Sequence, residues 1–173
     1  MKKNPFVLWL MGPTSAGKTT IGRLFVDDMR TTQIPAIHYD GDEIRAFFGE
    51  TLGFRPEERL RAVSTCAQLG KKANEAGLNV VISALTANED SKNYIKNNVP
   101  NLVITYLTCP IEICIQRDSR GLYRKAREGT INPKTLIGLD SPYEPPNNPD
   151  IVIDTSKNTL EQSIGIIKTW LKA

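Results

Sequence analysis

The sequence predicts an α/β fold: a parallel sheet of about five strands flanked by helices, in one domain spanning residues 1–173. Three observations predict it. Short apolar runs alternate with stretches of helical periodicity along almost the whole chain. The first run, Phe6 to Met11, stops at Gly12 and passes through a glycine-containing turn into a helix. A single stretch, 119–148, breaks the alternation. Alternating strand and helix units give parallel strands joined by right-handed crossovers, with helices on both faces.

Each element has its own justification. Phe6-Val7-Leu8-Trp9-Leu10-Met11 has the length and flanks of a fully buried parallel strand. From Lys18 to Arg30, the residues Ile21, Leu24, Phe25 and Met29 recur at helical spacing. Ala36 to Tyr39, after Pro35, is a second strand. Pro56 opens a long helix on which Leu60, Val63, Ala67, Gly70 and Ala73 share a face, and Gly77 ends it. Leu78 to Leu85 contains the third strand. Asn88 to Asn98 is a short helix, Leu102 to Leu107 a fourth strand, and Pro110 to Arg117 a helix. Asp150 to Asp154 is a short fifth strand. Leu160, Ile164, Ile167 and Leu171 line one face of the last helix. Ser119 to Asn148 is rich in Arg, Lys, Gly and Pro, with one short helix expected at Leu122 to Glu128. A segment this long within one domain is a functional lid or a linker.

Composition excludes several classes. With 40% hydrophobic and 24% charged residues, the chain is neither disordered, collagen-like nor a coiled coil. Its apolar runs are too short to span a bilayer. Met1-Lys2-Lys3 is not followed by a long apolar segment and cleavage site, so no signal peptide is expected and a cytoplasmic location is. The net charge of +3 is too mild to indicate nucleic acid, but suits an anionic small ligand in a focusing cleft. No nucleic-acid or membrane partner is expected; a homodimer stays open. Cys66, Cys109 and Cys114 are odd in number and lack zinc spacing, which predicts reduced thiols.

Gly12-Pro13-Thr14-Ser15-Ala16-Gly17-Lys18-Thr19, continued by Thr20, matches the phosphate-loop pattern G-x-x-x-x-G-K-[ST]. Such a loop wraps a phosphate with inward N–H groups, which requires glycine at the turn positions. The following helix points its N-terminal dipole at the anion. Lys18 is expected on the β/γ-phosphates and the Thr19 hydroxyl on Mg²⁺. The strand before and the amphipathic helix after the motif supply the context of a P-loop NTPase-type sheet. ATP and Mg²⁺ are the expected cofactors.

The third strand ends in Ser83 rather than an aspartate, whereas the second runs into Asp40-Gly41-Asp42. If the second strand neighbours the first, both acids face the phosphate crevice. Carboxylates there can hold the metal or take a proton from an attacking hydroxyl. The alternative is a turn in which Asp42 caps a helix containing Glu43 and Ile44. Arg45, Arg59, Arg117, Arg120, Arg124, Lys125 and Arg127 supply cations for a second anion and for a lid that excludes water. Phe54 either stacks on a base or packs in the core.

With these residues assembled, the sequence resembles the adenylylsulfate (APS) kinase family. The matching stretches run in order along nearly the whole chain: Asp40-Gly41-Asp42 with Arg45; Leu52-Gly53-Phe54 with Pro56-Glu57-Glu58-Arg59; Arg117-Asp118; Gly121-Leu122-Tyr123-Arg124-Lys125-Ala126-Arg127; Gly138-Leu139-Asp140-Ser141-Pro142-Tyr143-Glu144-Pro145; and Asn148-Pro149-Asp150. The resemblance implies phosphorylation of the 3′-hydroxyl of adenosine 5′-phosphosulfate by ATP, giving PAPS. It implies Lys18, Asp40 and Asp42 as catalytic residues, with Thr19 and Asp42 at the metal. Arg117 would lie against the ATP adenine. Arg45, Arg59, Ser83 and Lys125 would serve the acceptor, and Phe54 would stack on its base.

The sequence departs from the family on the acceptor side. Ala62 stands where the family has a substrate-contacting asparagine, and Leu85-Thr86-Ala87-Asn88 replaces Ile-Ser-Pro-Tyr. Leu136-Ile137-Gly138-Leu139-Asp140 replaces Phe-Thr-Gly-Ile-Asp, removing a second aromatic, in a lid about two residues longer. The alternatives are a kinase of the same fold acting on another nucleotide anhydride, such as cytidine diphosphoramidate, and a non-catalytic nucleotide-binding module.

Overall fold

Unbroken apolar sequence leaves a strand no face to turn to water, and Val7–Met11 (β1) is buried at every position. It lies at the centre of the sheet. The computed structural model describes residues 4–118, 120–137, 139 and 143–172. Ser119, Gly138, Asp140, Ser141 and Pro142, which belong to the expected lid and to the Asp-Ser-Pro block, lie outside the described residues.

The other strands are Ala36–Asp40 (β2), Asn79–Ser83 (β3), Leu102–Thr108 (β4) and Ile151–Asp154 (β5), all parallel, in the order β2-β3-β1-β4-β5. This corrects one expectation. β2 does not neighbour β1, because β3 inserts between them. The helices are Lys18–Thr31 (α1), Gly41–Ala46 (α2), Pro56–Glu75 (α3), Glu89–Asn98 (α4), Ile111–Arg117 (α5), Leu122–Arg127 (α6) and Leu160–Lys172 (α7). In returning from β1 to β2, α1 crosses β3 and packs on both β3 and β2.

Strand periodicity sorts the core into two layers. Leu8 and Leu10 join Val81, Val103 and Leu107 under Ile21, Phe25 and Met29 of α1 and Ile167 and Leu171 of α7. Val7, Trp9 and Met11 point the other way, against Val63, Cys66 and Ala67 of α3 and Ile95 of α4. Burying Trp9 requires a partner for its indole N–H, and the Thr86 hydroxyl accepts it at 2.8 Å.

Some helix starts are held by short polar side chains. Asn88 accepts from the Ser91 N–H at 3.1 Å and starts α4. Asp118 accepts from the N–H groups of Tyr123 (3.2 Å) and Arg124 (3.0 Å) and fixes the first turn of α6. The chain returning to β5 is fastened as well. The Lys92 ammonium is 1% exposed, so it needs close partners. It donates to Glu89 Oε1 at 2.8 Å and to the Pro145 carbonyl at 3.3 Å. Tyr143 stacks on Tyr106, with ring centroids 5.8 Å apart, and donates to the Leu85 carbonyl at 3.2 Å.

Candidate active site

The phosphate loop leaves β1 through Gly12, which has φ +149°; a Cβ there would lie 2.4 Å from the Leu107 carbonyl oxygen. Gly17, at φ +97°, closes the loop and starts α1. Thr14 to Thr20 line a cleft of about 1370 Å³, while Gly12 and Pro13 are buried beneath them. One small-molecule ligand fills roughly 300–1,000 Å³. The cleft has room for two.

Lys18 bends back over the loop and donates to the carbonyls of Gly12 (2.9 Å) and Pro13 (2.7 Å). Burial pushes its ammonium down from 10.5 to about 8, against the opposing pull of Asp42. An arriving phosphate would compensate that loss of hydration.

Asp40 is the pivot between the first two βα units. It is buried, with one carboxylate oxygen accepting from the Asp42 N–H at 2.8 Å to cap α2. The other accepts from the Thr19 hydroxyl at 2.5 Å. The cap is therefore Asp40, not Asp42. Asp40 reaches the phosphate loop through α1 rather than through strand adjacency. The Asp42 carboxylate is exposed in the cleft, paired with the Arg120 guanidinium.

Ser83 has a different placement from the one expected of a substrate ligand. It lines the cleft, but its hydroxyl donates to the Lys18 carbonyl at 2.9 Å. With that proton committed, the His38 Nε2–H must be the donor to Ser83 Oγ, at 2.9 Å. Burial lowers the His38 pKa below its usual value.

Phe54, which lines the same cleft, is 47% exposed. The Arg45 and Arg59 guanidiniums sit 4.3 and 5.3 Å from its ring centroid. Arg45 donates to the Gly53 carbonyl; Arg59 donates to the carbonyls of Phe54 (2.9 Å) and Thr135 (3.0 Å). Burial lowers the pKa of Arg59, and the neighbouring Arg45 charge lowers it further. Among the described residues, neither arginine has a carboxylate at ion-pair distance. Two partly desolvated, mutually repelling guanidiniums form a site for an anion.

Arg117 donates through Nη2 to the Thr155 carbonyl (2.6 Å) and through Nη1 to its hydroxyl (3.2 Å). Thr155, Asn158 and Thr159 line the cleft beside it. Lys125 is not brought to the site: it is exposed on α6 and is not part of the cleft wall. The cleft-lining cations of this region are Arg117 and Arg120. Sequence reasoning gave Tyr123 no role of its own, yet it is buried and its hydroxyl donates to the Thr14 carbonyl at 2.9 Å. The Gly-Leu-Tyr block was the available signal for it.

The adenylylsulphate kinase family model matches residues 4–154. The chain belongs to the adenylylsulphate kinase family. It is 34% identical over 172 residues to the adenylyl-sulfate kinase of Rippkaea orientalis, covering 99% of this chain and 93% of the relative. It is 33% identical over 173 residues to that of Clostridium acetobutylicum, covering 99% and 86%. The crystal structure of APE1195 superposes with a TM-score of 0.86 at 31% identity, covering 99% of this chain and 97% of that one. The Mycobacterium tuberculosis APS kinase CysC, solved in complex with AMPPNP and APS, superposes with a TM-score of 0.90 at 22% identity, covering 99% and 100%.

Three positions at which this adenylylsulphate kinase family member was expected to depart from the family pattern, Ala62, Thr86 and Leu136, line the same cleft as Arg45, Phe54 and Arg59. Ala62 and Leu136 are buried and line the cleft, and both are apolar. Leu136 also packs into the core layer shared with Tyr123 and Ala126. Thr86 is 2% exposed, with its hydroxyl accepting from the Trp9 indole. No described helix is long and apolar enough to cross a membrane.

Proposed function

We propose that this chain transfers the γ-phosphoryl group of MgATP to the 3′-hydroxyl of adenosine 5′-phosphosulfate, forming PAPS and ADP. The observation that carries this reading is one cleft lined by both a phosphate loop and the Arg45–Phe54–Arg59 cluster. Asp42 is exposed on its wall. A nucleotide sensor needs no second anion site. A kinase needs two anions with a carboxylate at the exchange point.

ATP would lie with its phosphates in the loop and its adenine against Arg117. The acceptor's phosphosulfate would take the two arginines, with its base on Phe54. Mg²⁺ suits this site, since a hard cation takes oxygen donors and P-loop sites hold it largely through phosphates and water. The Thr19 hydroxyl, with Asp40 at 2.5 Å, would hold it, which moves the metal carboxylate from Asp42 to Asp40. When bound, the ion neutralises charge on the transferring phosphoryl group. The acceptor oxygen attacks the γ-phosphorus, the bond to the β-bridging oxygen breaks, and the hydroxyl proton passes to Asp42. Lys18 balances charge on the phosphoryl oxygens.

The test is ATP-dependent phosphorylation of APS, with ADP and PAPS both quantified. Cytidine diphosphoramidate is assayed in parallel, because apolar Ala62 and Leu136 relax the acceptor end. PAPS formation at a kcat/KM well above that for the cytidine compound supports the proposal. The reverse order overturns the acceptor, and ATP binding with no transfer to either overturns the kinase.

A further inference from the structure

The geometry points to Arg120 as a further catalytic residue: it leaves Asp42 when ATP binds and stabilises the transferring phosphoryl group. This deepens the proposed phosphoryl transfer and rests on it.

Four observations carry the inference. Arg120 lines the cleft, whereas Arg124, Lys125 and Arg127 of the same segment do not. Arg117, the other cation there, has its guanidinium tied to Thr155. Arg120 Nη1 instead meets Asp42 Oδ2, the carboxylate proposed to receive the acceptor's proton. Lys18, Asp42 and Arg120 line the same cleft. Arg120 therefore lies close to where the γ-phosphate would sit.

The backbone around Arg120 is anchored. Asp118 caps the first turn of α6, Gly121 takes the left-handed conformation at its start (φ +64°), and Tyr123 is fastened to the phosphate loop through Thr14. The guanidinium needs to change only its side-chain rotamer to swing from Asp42 to a phosphate. Both partners in the present pair are more than half exposed, so solvent screens it and little holds it closed. An incoming γ-phosphate is the stronger partner, because a guanidinium fork matches phosphate oxygens. Its departure also frees Asp42 to accept a proton. During transfer no bond to Arg120 forms or breaks: the acceptor oxygen–phosphorus bond forms, the β-bridging bond breaks, and the proton goes to Asp42.

The experiment compares wild type, Arg120→Ala, Arg120→Lys and, as a control on the exposed face of α3 outside the cleft, Lys72→Ala. It reads kcat and KM for ATP with APS, acceptor-independent ATP hydrolysis, and the affinity for a non-hydrolysable ATP analogue. Arg120→Ala is expected to lower kcat by about 10²-fold or more with analogue affinity changed only a few-fold. Arg120→Lys should recover part of the loss, and Lys72→Ala should match wild type. If Arg120 were only a resting latch on Asp42, its removal would leave kcat unchanged or raise it, which overturns the inference. Wild type that fails to phosphorylate APS overturns the proposed acceptor instead. Hydrolysis without acceptor still reads Arg120: loss in Arg120→Ala upholds its role, and unchanged hydrolysis removes it.

Discussion

The Tyr123 hydroxyl donates to the carbonyl oxygen of Thr14 at 2.9 Å, across 109 positions of sequence, and ties α6 to the phosphate loop. The ring is 2% exposed, so the bond lies where water does not substitute for it. Tyr123→Phe keeps the packing and removes one buried hydrogen bond. It should cost about 1–2 kcal/mol and lower Tm by a few degrees. It should also weaken ATP-analogue binding, as Thr14 loses its tether. Calorimetric unfolding with a binding titration checks both; unchanged affinity would confine Tyr123 to stability.

Lys18 gives a prediction in pH. Its ammonium is held down to about 8 in the empty site, and bound phosphates should raise it. ATP binding at pH 8 should then take up about half a proton, seen as a dependence of binding heat on buffer ionisation enthalpy. Affinity should fall as pH rises above 8. The sign for stability follows from the same shift: the unfolded chain keeps this proton up to 10.5, so the empty protein gains stability between about 8 and 10.5. Lys18→Ala should abolish both effects, remain folded, and lower turnover at least about 10²-fold.

The two aspartates should separate. Asp42→Asn removes an exposed charge whose ion pair is worth about 0–1 kcal/mol, so Tm should barely move while kcat collapses. Asp40→Asn weakens a helix cap and the bond to Thr19, so it should lower both Tm and activity. Equal loss of stability in the two variants would refute the division of roles.

At the acceptor end, Arg59→Ala should raise KM for APS by at least about tenfold, the effect of losing one charge-assisted bond, with KM for ATP unchanged. Leu136→Phe offers a second aromatic face to a base, worth roughly 1–3 kcal/mol when stacking is achieved. It should raise kcat/KM for APS. If it helps only cytidine diphosphoramidate, the pocket is shaped for the smaller base.

The local parts of this architecture were legible in the sequence. The phosphate loop, the strand entering it and the Pro56-initiated helix are contiguous patterns, and all formed where spacing placed them. Strand order was not legible. Nothing in residues 36–40 says that β3, some forty positions later, inserts beside β1. The same limit explains why the route of Asp40 to the phosphate loop was not legible, since the side chain meets Thr19 through the path of α1 over the sheet. Arg120 and Lys125 are alike as sequence, two cations flanking one Gly-Leu-Tyr block. Only the anchoring of α6 turns one into the cleft and the other outward.

The proposed lid is moored at both ends, by Tyr123 on the phosphate loop and by Tyr143 and Lys92 on the far bank. About twenty residues lie between the moorings. Loop-closure entropy grows only logarithmically, so two added residues cost about 0.1 kcal/mol. Length between these anchors is nearly neutral for folding. A lid segment exchanged between relatives at Tyr123 and Tyr143 should therefore carry acceptor preference with it and leave the donor half untouched.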